Sequence, residues 1–161
     1  IPTILGGKHI PTGISITSHQ PGGLLTGATP AGRKAGEILA DGTMSPMHGM
    51  DKNGPTAVLN SAMKIDQDPF QATLLNMRFA PASLKTDEDL KKLGGMIYAY
   101  LNNGGKHIQF NVVDNKTLKA AQEDPKKYRD LVVRVAGYSC YFVQLTRAMQ
   151  DEVIERTQQQ L

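Results

Sequence analysis

The apolar positions of this chain fall into two unlike halves. From residue 54 onward they recur at helix and strand spacing; before it they are short and broken by Gly, Pro, Ser and Thr. Asn53-Gly54-Pro55 reads as a helix start with Pro55 at the first helical position, and Val58, Leu59, Ala62 and Met63 predict a short amphipathic helix over 55–64. Residues 71–79 read as a strand. Thr86 is placed to cap a helix whose first turn holds Asp87, Glu88 and Asp89, where the helix dipole favours carboxylates, and whose apolar face is Leu90, Leu93, Ile97 and Leu101. Asn102-Asn103-Gly104-Gly105 ends it. Ile108, Phe110 and Val112 alternate with polar neighbours, so 107–113 is a strand; Asp114 then caps a helix over 115–123, and Asp124-Pro125 opens a turn through Tyr128. The apolar run 131–135 has strand length, Ala136-Gly137-Tyr138-Ser139 is turn-like, Tyr141-Phe142-Val143 is a second apolar run, and Thr146 caps a last helix over 147–158. Strands alternating with helices in this order predict an α/β fold.

The first half is different. Ile14 to Ser18 alternates and is β-branched, a short strand by pattern. Residues 20–53 meet Gly or Pro so often that they read as loop, and a loop of that length belongs to a compact fold only when it is functional or packed over a larger body. The expected division is residues 1–53, a Gly/Pro-rich strand and long packed loop, and residues 54–161, the regular part. A chain that opens at Ile1 in mid-pattern, with neither Met nor signal peptide, reads as a piece of a longer polypeptide.

Composition narrows the function classes. The 161 residues carry a formal charge of +3 with no single-sign block, which argues against nucleic-acid binding, and no run of 18 apolar residues exists to span a membrane. Cys140 is the single cysteine, so no internal disulfide forms. The lysines after Gly7 and Gly105 lack the upstream Gly and following hydroxyl of a phosphate loop. His9, His19, His48 and His107 share no spacing that suits zinc, so no metal site is expected. No Ser/His/Asp or Cys/His arrangement is readable, and a loop hydrogen bond is the expected role of His19.

One segment changes the picture. Arg134-Val135-Ala136-Gly137-Tyr138-Ser139 resembles the glycyl radical motif of the glycyl radical enzymes, the pyruvate formate-lyase-like superfamily. The resemblance extends over Thr26-Gly27-Ala28-Thr29-Pro30, Gly32 to Glu37, Leu39 to Gly42 with Ser45-Pro46, Asp51 to Ser61 and His107 to Val113, in one consistent order from about residue 13 to the end. Gly at 137 has a physical reason of its own. A spin on an α-carbon wants a planar centre flanked by amide nitrogen and carbonyl, and only Gly has no Cβ to obstruct it. The apolar runs on either side are expected to bury this loop and keep water and oxygen away.

The resemblance implies the C-terminal part of a glycyl radical enzyme α/β barrel, strands and helices around a buried Gly loop at 134–141. It implies that Gly137 stores the radical, with Arg134, Val135, Ala136, Tyr138 and Ser139 supporting the loop. It also implies that no cofactor is bound, and that the radical is installed by a separate activase using S-adenosylmethionine and an iron–sulfur cluster. The radical then passes to a catalytic cysteine in an upstream part of the same enzyme. Cys140 is not that cysteine; it reads as a small packing residue. RVAGYSxYF is closer to the dehydratase, decarboxylase and carbon–heteroatom lyase branch than to pyruvate formate-lyase. A homodimeric, cytoplasmic enzyme of anaerobic conditions, in some cases within a microcompartment, is the implied setting. The alternative is a stand-alone radical spare part that repairs an oxygen-cleaved enzyme. The substrate stays open.

Overall fold

The computed structural model describes residues 2–13 and 18–161. The expected strand at 14–18 lies outside the described residues, save Ser18, which sits in a turn. Just before it, Gly13 makes a parallel bridge with Thr73.

The central feature is a parallel sheet. Strand β1 (Asn76–Phe79) pairs in parallel with β2 (Gln109–Val112), Asn76 opposite Gln109, and on its other side with β5 (Gln158–Gln159), Arg78 opposite Gln158. Parallel neighbours need a crossover, and helix α3 (Asp87–Asn102) supplies it between β1 and β2. Thr86 caps α3 in a reciprocal box: its hydroxyl accepts from Asp89 N–H at 3.1 Å while the Asp89 carboxylate accepts from Thr86 N–H. Asp114 caps α4 (Asn115–Glu123) and Thr146 caps α5 (Arg147–Glu155) by the one-way bond alone, each side chain accepting from the amide three residues on. Helix α2 (Pro55–Ala62) starts at Pro55, behind Gly54. A separate antiparallel hairpin, β3 (Val132–Arg134) with β4 (Ser139–Tyr141), stands beside the sheet.

Two apolar clusters sit on either side. One packs Val58, Leu59, Leu75, Met77, Phe79 and Tyr100 under α2 and α3. The other packs Val113, Leu118, Ala121, Val133, Val135, Phe142 and Val153 between α4, α5 and the hairpin. Burying each Val or Phe of this second cluster is worth roughly 1.5–3 kcal/mol.

Three sequence expectations are corrected. The strand expected over 71–79 is regular only from Asn76. The long loop contains helix α1 (His19–Leu25). Pro21 sits in its first turn, where a missing N–H costs nothing, and a Cβ at Gly23 would lie on the Glu37 carbonyl and 2.8 Å from Ile38 Cα, so that glycine permits close packing rather than breaking the helix. The last helix stops at Glu155 instead of 158, because Arg156 turns to extended backbone and the next residues join the sheet as β5. The apolar face of α3 is covered only in part: Tyr100 is fully buried and Leu93 packs on the first cluster, but Leu90 and Leu101 are exposed.

Candidate functional site

The hairpin carries the segment that the sequence singled out. Its register pairs Val132 with Tyr141, Val133 with Cys140 and Arg134 with Ser139. Val135 N–H donates to the Tyr138 carbonyl at 2.9 Å, which leaves Ala136 and Gly137 as a two-residue loop. Gly137 has φ +74° and no other residue type in the described chain has positive φ. That sign pattern, negative then positive, is the one a type II turn demands at its second central position, where glycine is at ease. A Cβ at Gly137 would meet nothing within 4 Å. The glycine is therefore required by backbone sign, not by a neighbour pressing on it.

The root of the hairpin is buried and its tip is not. Val133, Val135, Ala136 and Phe142 are at most 2% exposed, whereas Gly137, Tyr138 and Ser139 are open. This corrects the expectation of a loop buried on both sides: Tyr141 also faces outward, and only Phe142 of the second apolar run lies inside. The chain leaves the strand at Tyr141, and Phe142 opens a short 3-10 turn that carries its ring into the second cluster.

Arg134 ties the hairpin to the sheet. Its N–H donates to Asn111 Oδ1 at 2.7 Å and its carbonyl accepts from Asn111 Nδ2 at 2.7 Å. Its side chain donates to Gln109 Oε1 at 2.6 Å and to Ser139 Oγ at 3.2 Å. Gln109 in turn donates to Asn76, and Asn76 to the Asp41 carbonyl. Arg156 adds a second donor to the Arg134 carbonyl at 3.2 Å.

Arg156 belongs to a buried ionic cluster that the sequence did not reveal. Glu152 is fully buried and accepts from Arg156 Nε and Nη2 at 2.8 Å each. His48 Nε2 lies 3.3 Å and His19 Nε2 3.5 Å from the same carboxylate, and Asp41 pairs with Arg156 at 3.0 Å. Burial alone would push the Glu152 carboxyl up; His19, His48 and Arg156 outweigh it and hold the group well below the usual carboxylate range. The Glu152 contact raises His48, against the effect of burial. His19 is thus a buried residue at the start of α1, not a loop side chain as expected. The only sequence signal for the cluster was the i,i+4 spacing of Glu152 and Arg156. Arg33 does comparable work in the Gly-rich segment, donating to the carbonyls of Thr26, Gly27, Lys34 and Glu37.

Cys140 is half-buried, and burial pushes its thiol up, the opposite of an activated thiolate. Burial likewise raises the Tyr138 phenol.

A family model described as glycine radical matches residues 40–143, which contain the whole hairpin. The chain belongs to the glycyl radical enzyme family. Indoleacetate decarboxylase from Tractidigestivibacter scatoligenes is 47% identical over 97% of this chain, but over only 18% of its own length. Two solved glycyl radical enzyme structures superpose with a TM-score of 0.90. Hydroxyproline dehydratase from Clostridioides difficile, solved with trans-4-hydroxy-L-proline bound, is 44% identical, with 99% of this chain and 20% of that one covered. The B12-independent glycerol dehydratase from Clostridium butyricum, solved in its glycerol-bound form, is 46% identical, with 97% and 20% covered. The chain thus spans about a fifth of the length of these relatives and matches their C-terminal portion. The family's description implies a radical placed on a glycine after synthesis. No helix among the described residues is long and apolar enough to cross a membrane.

Proposed function

We propose that Gly137 is the radical-bearing residue of a lyase-type glycyl radical enzyme, and that this chain is the C-terminal unit that holds it. The observation that carries the reading is the open two-residue loop with Gly137 at positive φ on a rigidly rooted hairpin. Loss of one α-hydrogen leaves an α-carbon that must flatten. At Gly137 nothing within 4 Å of the Cβ direction opposes that, and the spin is shared with the amide on either side. A partner activase, through its S-adenosylmethionine and iron–sulfur cluster, supplies the carbon radical that removes the hydrogen. Gly137 then takes a hydrogen atom from a cysteine thiol in the upstream part of the enzyme: a Cα–H bond forms, an S–H bond breaks and the spin moves to sulfur. The thiyl takes a hydrogen atom from substrate, so that S–H forms and C–H breaks. The product radical takes that hydrogen back, and the Gly137 hydrogen then returns to sulfur as the spin returns to the glycine.

The hairpin residues divide this work. Arg134 and Ser139 fix the strand ends, Val135 and Ala136 root the loop in the apolar cluster, and Tyr138 closes the turn through its carbonyl. The reaction class is dehydration, decarboxylation or carbon–heteroatom cleavage, supported by the decarboxylase and dehydratases among the relatives. A barrel completed by upstream residues would cover the exposed tip, and a homodimer and an oxygen-free cytoplasm suit such an enzyme.

Anaerobic activation of the full-length protein, followed by electron paramagnetic resonance, tests the reading. A doublet from one remaining α-hydrogen is expected, and Gly137→Ala abolishes it. That variant still folds, at a cost of about 1–2 kcal/mol for a side chain at positive φ. A doublet that survives in Gly137→Ala places the radical elsewhere and defeats the reading. If the short chain restores activity to an enzyme truncated before its own glycine, the spare-part role holds instead of the fused one.

A further inference from the structure

The Gly hairpin shares no backbone ladder with the three-stranded sheet. Side chains make the join at Arg134, three residues before Gly137. Asn111 on β2 serves both the N–H and the carbonyl of Arg134 at 2.7 Å, standing in for the ladder partner that a neighbouring strand would provide. Arg156, just past α5, donates to the same carbonyl. Arg156 is itself fixed by Glu152 and Asp41 and is only 8% exposed. Gln109 holds the Arg134 side chain. The hairpin's own bonds keep its two strands together, but they do not set its place relative to the sheet.

We propose that Asn111 and Arg156 are positioning residues for radical transfer: by gripping the backbone of Arg134 from two elements, they set where Gly137 stands relative to the sheet. The proposal rests on Gly137 being the radical carrier. Neither residue touches the reacting atoms. Their effect is on distance, and hydrogen-atom transfer between Cα and sulfur is sensitive to distance: a shift near 1 Å costs about 100-fold in rate.

Two readouts on the full-length protein decide it. The first needs no radical. Amide hydrogen exchange in the unactivated protein should show Arg134 N–H protected in the wild type. In Asn111→Leu, which loses both contacts, that protection is lost. In Asn111→Asp, which keeps an acceptor, it is retained. The amides of α3 stay unchanged in both variants, which separates loosening of the hairpin from global unfolding. Arg156→Lys keeps the charge and gives up the multiple donors. It serves as the second variant should Asn111→Leu fail to fold, and in it Val135 N–H exchanges faster.

The second readout is turnover after activation, with indoleacetate, trans-4-hydroxy-L-proline and glycerol as the substrate panel. Radical content per chain stays within twofold of wild type in Asn111→Leu and Arg156→Lys, while kcat falls about 100-fold at nearly unchanged KM. Wild-type exchange at Arg134 in every variant, or wild-type kcat per radical, overturns the proposal. A wild-type protein that takes no radical defeats the functional reading and with it the transfer role. The exchange data then report separately whether the grip on Arg134 exists.

Discussion

At the scale of single residues, the most consequential side chain is Glu152. It is fully buried, yet it stays ionised because Arg156 grips it with two donors and His48 and His19 both approach its Oε1. Replacing it by an apolar residue leaves Asp41 as the one carboxylate paired with Arg156, and Glu152→Leu should cost about 3–5 kcal/mol in chemical unfolding. The same cluster shapes the response to pH. The Glu152 carboxyl is held low, so its contribution to stability is present above the ordinary Glu value near 4.3 and is lost as pH falls through the folded value. His48 is raised, so its contribution is complete below about 6.5 and is lost as pH rises through its folded value. Both are whole between roughly pH 4.5 and 6.5. Thermal midpoints measured from pH 5 to pH 9 should therefore decline on the alkaline side, and His48→Gln should flatten that decline. An unchanged slope in the variant would assign the pH response to other groups.

At the scale of elements, α5 shows how a helix end is fixed from outside. Arg78 on β1 donates to the carbonyls of Val153 and Ile154 at 3.1 and 3.2 Å, and also to that of Arg156. It closes the carbonyls a helix leaves unpaired. Its burial and the neighbouring Arg156 charge bring its guanidinium down to about 10, still protonated at neutral pH. Arg78→Met should cost about 3 kcal/mol in chemical unfolding, since several buried carbonyls lose their partner together. A loss below about 1 kcal/mol would mean that water replaces the guanidinium. The helix starts were legible in the sequence because caps are local: Thr86, Asp114, Thr146 and Pro55 each act within three residues. The end of α5 was not, because its cap comes from residue 78. Strand β5 was hidden for a related reason. Gln158 and Gln159 carry no apolar alternation, and Gln159 is held by Asp51, far away in the chain. The Gly hairpin was legible as a turn between apolar runs. Its anchors Asn111, Gln109 and Arg156 were not, since polar residues spaced this widely leave no periodic trace.

At the scale of the whole molecule, the surface is too large. The chain exposes 9734 Å², whereas a folded monomer of its 17.5 kDa exposes about 7,900 Å². The difference is about twice what one partner contributes to a standard protein–protein interface. Apolar side chains contribute to it: Ile4, Leu5 and Leu25 are almost wholly exposed, and Tyr98, Leu90 and Leu101 line the open side of α3. A fifth of a larger enzyme would look like this, with faces shaped for the remaining residues. The isolated chain should self-associate, and sedimentation velocity should show species larger than a monomer at micromolar concentration. A single sharp monomer boundary would mean that these faces need no cover.

The two-residue loop also lies at a seam in the molecule. Downstream of Gly137 come β4, helix α5 with Glu152, Arg156 just past it, and β5, which flanks the central strand. Backbone scission by dioxygen at this tip would not shed a dangling tail. It would sever a wedge that fills the interior, and the two pieces, still interlocked through Arg78, Arg156 and Asp51, would travel together until a denaturant parted them.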